Sequence, residues 1–227
     1  MRSPKALLLV LVVSISAFGQ VCKSNQYDML DWTAPSAGLM NGHYDVIYPS
    51  TGTIYWVKSK AGYPWDVKPF DQKYIYDWGT ENIWGNPYTY KNFEKAIPLM
   101  PRCVTKPSTP GKLASIRLTP AQTEFDIHSS CTSYVRHNLG YVINELWADA
   151  PMKINGFTAP TITLAYRYSC NSTYSTCRYK EDFSFQKGFG LMQWTYWILQ
   201  GGRYVQANQT THGQVKLGTV RPVHPCW

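Results

Sequence analysis

Four carboxylates, Asp66, Asp71, Asp77 and Glu81, recur in one short stretch among Tyr63, Trp65, Phe70, Tyr74, Tyr76, Trp78 and Trp84. Carboxylates accept hydrogen bonds from hydroxyl groups, while indole and phenol rings stack on flat apolar surfaces. Together they suit a ligand that is polar at its edge and flat on its face, as a sugar is. Trp65, Asp66, Asp71, Tyr76, Asp77, Trp78, Glu81 and Trp84 are therefore the candidate ligand-binding residues, with the adjacent pairs Trp65-Asp66 and Asp77-Trp78 as the core of the reading.

Two other readings use the same residues. A pair among Asp66, Asp71, Asp77 and Glu81 held about 5–9 Å apart has the composition of a glycoside hydrolase site. In a structural or envelope-associated protein, by contrast, the rings fill the core and the aspartates start turns. From Tyr44 to Tyr90 the chain is nearly twice as rich in aromatic residues as the whole, of which 15% are Phe, Trp or Tyr. A second aromatic region, Tyr166 to Tyr204, alternates as ordinary β core does, so ring density alone does not mark a site.

Other chemistry has thinner support. His43-Tyr-Asp45 and Asp126-Ile-His128 each set two polar side chains on one strand face. With His137 or His212, the first has the makings of a two-histidine, one-carboxylate site, but a His-Asp hydrogen bond explains such a pair as simply. Ser129, Ser130 and Cys131 lie beside His128 without a Gly-x-Ser-x-Gly elbow, and no Cys-x-x-Cys pair offers a zinc site. No metal or other cofactor is required by the leading reading.

The formal charge of +8 is spread along the chain, nowhere denser than Lys58-Ser-Lys60 or Arg178-Tyr-Lys180. Phosphate backbones need a concentrated basic stripe, so no nucleic-acid partner is expected. Arg2 and Lys5, the apolar run Ala6–Val13 and the small residues Ala17 and Gly19 predict a secretory signal peptide over 1–19. The run falls short of the roughly 20 apolar residues that span a bilayer, and no transmembrane segment is expected elsewhere. A secreted or periplasmic protein follows, with residues 20–227 as a single domain.

Six cysteines suit an oxidising compartment. Cys170 and Cys177 flank a short polar segment between two strand-like runs and are expected to pair. Cys103 with Cys131 and Cys22 with Cys226 is then the simplest nested arrangement. Asn171-Ser-Thr173 and Asn208-Gln-Thr210 are glycosylation sequons, the first inside the expected disulfide loop.

The elements that must position these residues read as strands. Thr161–Tyr168 alternates, with Ile162, Leu164, Tyr166 and Tyr168 on one face. Arg178–Phe185, Leu191–Leu199 and Arg203–Thr210 follow, separated by Lys187-Gly188 with Gly190 and by Gly201-Gly202, so a four-strand C-terminal meander is expected. Gly188 and Gly190 suggest a bulge or a close backbone approach. In the run from Trp194, both faces carry large apolar groups, the mark of a strand covered on both sides.

In the front half, His43–Tyr48, Thr53–Lys58, Gln72–Tyr76 and Leu113–Leu118 read as strands. Thr89–Ala96 is the best candidate for one short helix. Pro98 to Gly111 reads as a Pro-rich surface loop. The fold expected is all-β, an antiparallel sandwich or open barrel stabilised by disulfides.

Overall fold

A computed structural model describes residues 21–33, 44–48, 53–57, 64–81, 90–127, 132–154 and 156–211. The strands are β1 (Gln26–Asp28), β2 (Tyr44–Tyr48), β3 (Thr53–Val57), β4 (Pro64–Pro69), β5 (Tyr74–Glu81), β6 (Tyr90–Pro101), β7 (Cys103–Thr105), β8 (Gly111–Ile127), β9 (Ser133–Ile154), β10 (Phe157–Cys170), β11 (Cys177–Gln186), β12 (Gly190–Gln200) and β13 (Arg203–Thr211). One helical turn, α1 (Leu30–Thr33), lies between β1 and β2. The expected leader over 1–19 lies outside the described residues. No described helix is long and apolar enough to cross a membrane.

All strands except β1 and β7 join one sheet in the order β13-β12-β11-β10-β9-β8-β6-β5-β4-β3-β2, every pair antiparallel. The order has two free ends, so the sheet is open. The C-terminal meander is β10 to β13, and the Gly201-Gly202 turn between β12 and β13 uses positive φ at both glycines (57° and 78°). Gly188 lies in the β11–β12 turn and Gly190 opens β12 opposite Gln186, both at positive φ, and Gly188 N–H donates to the Asp31 carbonyl of α1 in a close backbone approach.

The sheet bends so that its two halves share a core. β6 pairs with β8 only from Tyr90–Phe93 against Ile127–Glu124. Beyond Phe93, β6 stays with β5 while β8 stays with β9, and the two layers separate. Ile75, Ile97, Leu99 and Met100 on the β5–β6 side then meet Leu146, Leu164, Phe183, Phe185 and Leu191 on the β9–β12 side. Met29 and Trp32 of the helical segment enter the same cluster. Burying so many large side chains at about 25 cal/mol per Å² is the main force holding the bend.

Three expectations are corrected here. Thr89–Ala96 is not a helix: it lies almost wholly within β6, and the helical turn is α1, capped by Asp28, whose Oδ1 accepts the Leu30 N–H at 3.0 Å. Pro98 to Gly111 is not one loop. Pro98 and Pro101 belong to β6, opposite Tyr76 and Tyr74 of β5 and beyond the point where β8 has left, so no strand needs their N–H groups on the β8 side. Cys22 pairs with Cys103, not with Cys226, and so Cys103 does not pair with Cys131; this bond ties the β1–β7 ribbon to the chain before it. Cys131 and Cys226 lie outside the described residues. Cys170 pairs with Cys177, as their spacing implied.

Candidate functional site

The structure distributes the front-stretch candidates over β4, the β4–β5 turn and β5. Asp71 and Tyr76 come together. Asp71 Oδ1 accepts the N–H groups of Lys73 (2.7 Å) and Tyr74 (2.8 Å), and Tyr76 donates its hydroxyl to Oδ2 at 2.7 Å. Burial opposes ionisation of Asp71, but these hydrogen bonds outweigh it and hold the carboxyl below its ordinary range. This aspartate builds a turn. Asp77 points elsewhere, forming an ion pair with Lys68 at 2.6 Å whose side chains are only 15% and 3% exposed. Trp78 is half-buried on β5. Trp65, Asp66 and Glu81 lie on β4 and β5 with side chains outside the described set, as does the whole of Trp84.

A different polar group sits on the core-facing side of the meander. In an antiparallel sheet, directly opposed residues share a face, and the register sets Tyr166, Glu181 and Tyr196 in one row across β10, β11 and β12. The row on one side is Leu164, Phe183 and Trp194; the row on the other is Tyr168, Tyr179 and Ile198. Glu181 thus occupies the centre of a three-by-three grid whose other eight members are aromatic or aliphatic.

The rings form a continuous series. Tyr166 lies 5.3 Å from Tyr168, Tyr168 5.2 Å from Tyr179, Tyr179 6.1 Å from Tyr196, and Trp194 6.2 Å from Tyr196, with the last two rings parallel within 1°. Trp194 Nε1 donates to Glu181 Oε2 at 2.7 Å. The Tyr168 hydroxyl reaches both Glu181 and Tyr196. Tyr168, Tyr179, Glu181, Trp194 and Tyr196 remain partly exposed, whereas Tyr166 is buried. The grid therefore runs from the core out to its solvent margin.

The surroundings of Tyr166, Tyr168 and Tyr196 hold these phenols in their neutral form. Burial raises Tyr168 far above the ordinary phenol value, reinforced by the Glu181 charge. Burial raises Tyr166 too, followed by the charges of Glu124, Asp77 and Glu181, so carboxylates from β8, β5 and β11 all bear on this one hydroxyl. Asn144 extends the row on β9: it lies opposite Tyr166, donates its amide to the Pro98 carbonyl at 2.9 Å, and accepts no protein hydrogen bond at its buried Oδ1. Neutral hydroxyl donors, a carboxylate acceptor and parallel ring faces can together hold a hydroxylated ring by stacking and by hydrogen bonds.

The opposite face of the same strands spends its charges on one another. Lys112 and Arg167 both contact Glu145, and Lys180 pairs with Asp182 at 2.7 Å while covering the Trp197 ring at 4.5 Å. Among the histidine and aspartate candidates, His137 Nε2 lies 2.9 Å from Asp126 Oδ2; His43, His128 and His212 fall outside the described residues, as does the side chain of Asp45. No group of three His, Cys, Asp or Glu side chains among the described residues is placed to hold a metal ion.

The grid was passed over in the sequence because Tyr166 to Tyr204 alternates like core. Its signal was nonetheless there: Glu181 falls in the same phase as Tyr179, Phe183 and Phe185, a charge where the alternation calls for an apolar group. Compared with known proteins, the chain matches no protein-family model, no curated protein and no solved structure.

Proposed function

We propose that this chain is an exported binding protein that takes a carbohydrate on the wall around Glu181. The observation that carries the reading is a carboxylate set among aromatic rings on a half-exposed sheet face, with Trp194 and Tyr196 parallel beside it. Ring faces cover the C–H faces of a pyranose, and Glu181 accepts from its hydroxyls. Support for export comes from the charged, apolar and small residues at the N-terminus together with two disulfides.

The front-stretch residues become a second contact region of the same reading, through Trp65, Asp66, Trp78, Glu81 and Trp84. The hydrolase alternative draws less from the geometry. Of its four carboxylates, Asp71 is bound within a turn and Asp77 is bound to Lys68, so these two do not face each other across a cleft.

A glycan array with the purified chain, followed by affinity gels, tests the proposal. Glu181→Gln and Tyr196→Phe are expected to weaken retention at least tenfold while far-ultraviolet dichroism stays unchanged. Trp65→Ala and Trp78→Ala report separately on the front stretch. Absence of glycan binding by the parent chain removes the reading; parental binding that all four variants retain moves the site elsewhere.

A further inference from the structure

The loop closed by Cys170 and Cys177 carries a feature that the binding wall does not use. Its Cα atoms at the closure are 3.8 Å apart, and the residues between are pinned to the body at one point, Tyr174. The Tyr174 hydroxyl donates to the Leu118 carbonyl at 2.8 Å, its ring meets Tyr141 edge-on at 5.5 Å, and Arg117 lies 5.4 Å above it. With Tyr174 turned inward, Asn171, Ser172, Thr173, Ser175 and Thr176 are all exposed.

Within this loop hydrogen bonds from its neighbours hold the Asn171 amide in place. Its Oδ1 accepts the Thr173 hydroxyl at 3.1 Å and the Ser175 N–H at 3.0 Å, and its Nδ2 donates one proton to Ser175 Oγ at 2.9 Å. The second Nδ2 proton has no partner among the described residues, and Asn171 is exposed. An exposed asparagine on a surface loop is the setting that glycosylation takes, and Thr173 is the hydroxyl residue two positions on that such acceptors require. The sequon at Asn208 differs: it lies in the edge strand β13, paired opposite Tyr196 beside the irregularity at Ala207, and its Oδ1 accepts the adjacent Gln209 N–H.

We infer that Asn171 is an N-linked glycosylation site. The donor is a lipid-diphosphate-linked oligosaccharide of the secretory lumen. Asn171 Nδ2 bonds to its anomeric carbon as the anomeric C–O bond breaks, the lipid diphosphate leaves with that electron pair, and one amide proton is lost. The remaining N–H keeps its bond to Ser175 Oγ, so the modified loop retains its fold. A glycan there shields the disulfide and the Tyr174 end of the sheet and leaves the wall around Glu181, on the other face, open.

This inference rests on the export reading above, and the test separates the two. The full chain is produced in glycosylating cells twice, once behind its own first residues and once behind an established secretion leader, with Asn208→Gln as background. Peptide N-glycosidase digestion in heavy-oxygen water, read by mass spectrometry, is expected to convert Asn171 to labelled Asp. Thr173→Ala is expected to abolish the label and Thr173→Ser to keep it, which separates loss of the acceptor from loss of the fold. Labelled Asn171 behind the established leader alone removes the export reading and upholds this one. Unmodified Asn171 in chain secreted behind the established leader overturns it.

Discussion

The indole of Trp194 donates to the carboxylate of Glu181 at 2.7 Å, although the register sets Trp194 opposite Phe183 and Tyr196 opposite Glu181. The bond therefore runs diagonally across β11 and β12 and pulls the indole over the carboxylate. Hydrogen bonds to charged groups contribute about 1.5–3 kcal/mol. A double-mutant cycle with Glu181→Gln and Trp194→Phe, read by urea unfolding, is expected to show a coupling in the lower half of that range, because both groups are partly exposed. Additive effects would mean that the bond is not formed in solution.

Lys68 and Asp77 make the opposite kind of interaction, a pair withdrawn from solvent at 3% and 15% side-chain exposure. Their attraction offsets a large desolvation cost, so removing one partner is worse than removing both. Asp77→Asn is expected to destabilise the chain by about 3 kcal/mol. Lys68→Met with Asp77→Asn is expected to recover at least half of that. Chemical denaturation of the three variants checks both statements, and equal losses in the single and double variants would show that the pair is not the source.

The phenols respond to pH in a definite direction. Burial raises Tyr166, Tyr168, Tyr196 and Tyr204 above the ordinary value of 10.0, and Tyr76 is pushed up to about 12 by burial and by its bond to Asp71. In the unfolded chain these groups lose protons first, so above pH 10 the unfolded state binds fewer protons than the native one. Their contribution to stability is complete below 10 and disappears as pH rises through the folded values. Urea midpoints are expected to stay level in this respect up to pH 10 and to fall above it, with Tyr168→Phe flattening the fall. Phenolate absorbance that develops fully before any loss of structure would contradict the burial of these hydroxyls.

Strand alternation made the meander legible in the sequence, because half-buried strands such as Thr161–Tyr168 carry their period in plain view. β9 was missed, since its 22 residues bend at Gly140, where φ is 68° and an added Cβ would come within 3.2 Å of Ser169 Cα. The β6 prolines looked like loop because proline is rare inside a sheet, whereas here both keep a β5 partner after β8 has diverged and left one side of β6 unpaired. The site shows the same division. Asp71 as a turn-former follows from its own neighbourhood, whereas the grid around Glu181 exists only through the pairing of three strands.

The two disulfides among the described residues predict different losses. Cys22 and Cys103 are 81 residues apart, Cys170 and Cys177 only 7. In the loop-entropy picture the first constrains the unfolded chain by about 4.5 kcal/mol and the second by about 2.5 kcal/mol. Replacing Cys22 and Cys103 by serine is thus expected to lower the melting temperature more than replacing Cys170 and Cys177. The loss also has a local part. The short β1–β7 ribbon, the Arg102–Asp28 ion pair, the Gly188-to-Asp31 and Met29-to-Arg102 backbone bonds and the buried side chains of Met29 and Trp32 would then hold the N-terminal segment to the sheet. Hydrogen exchange in β1 and α1 should therefore accelerate in the Cys22/Cys103 variant well before the meander β10 to β13 is affected, whereas uniform acceleration would show that the bond acts on the unfolded chain alone.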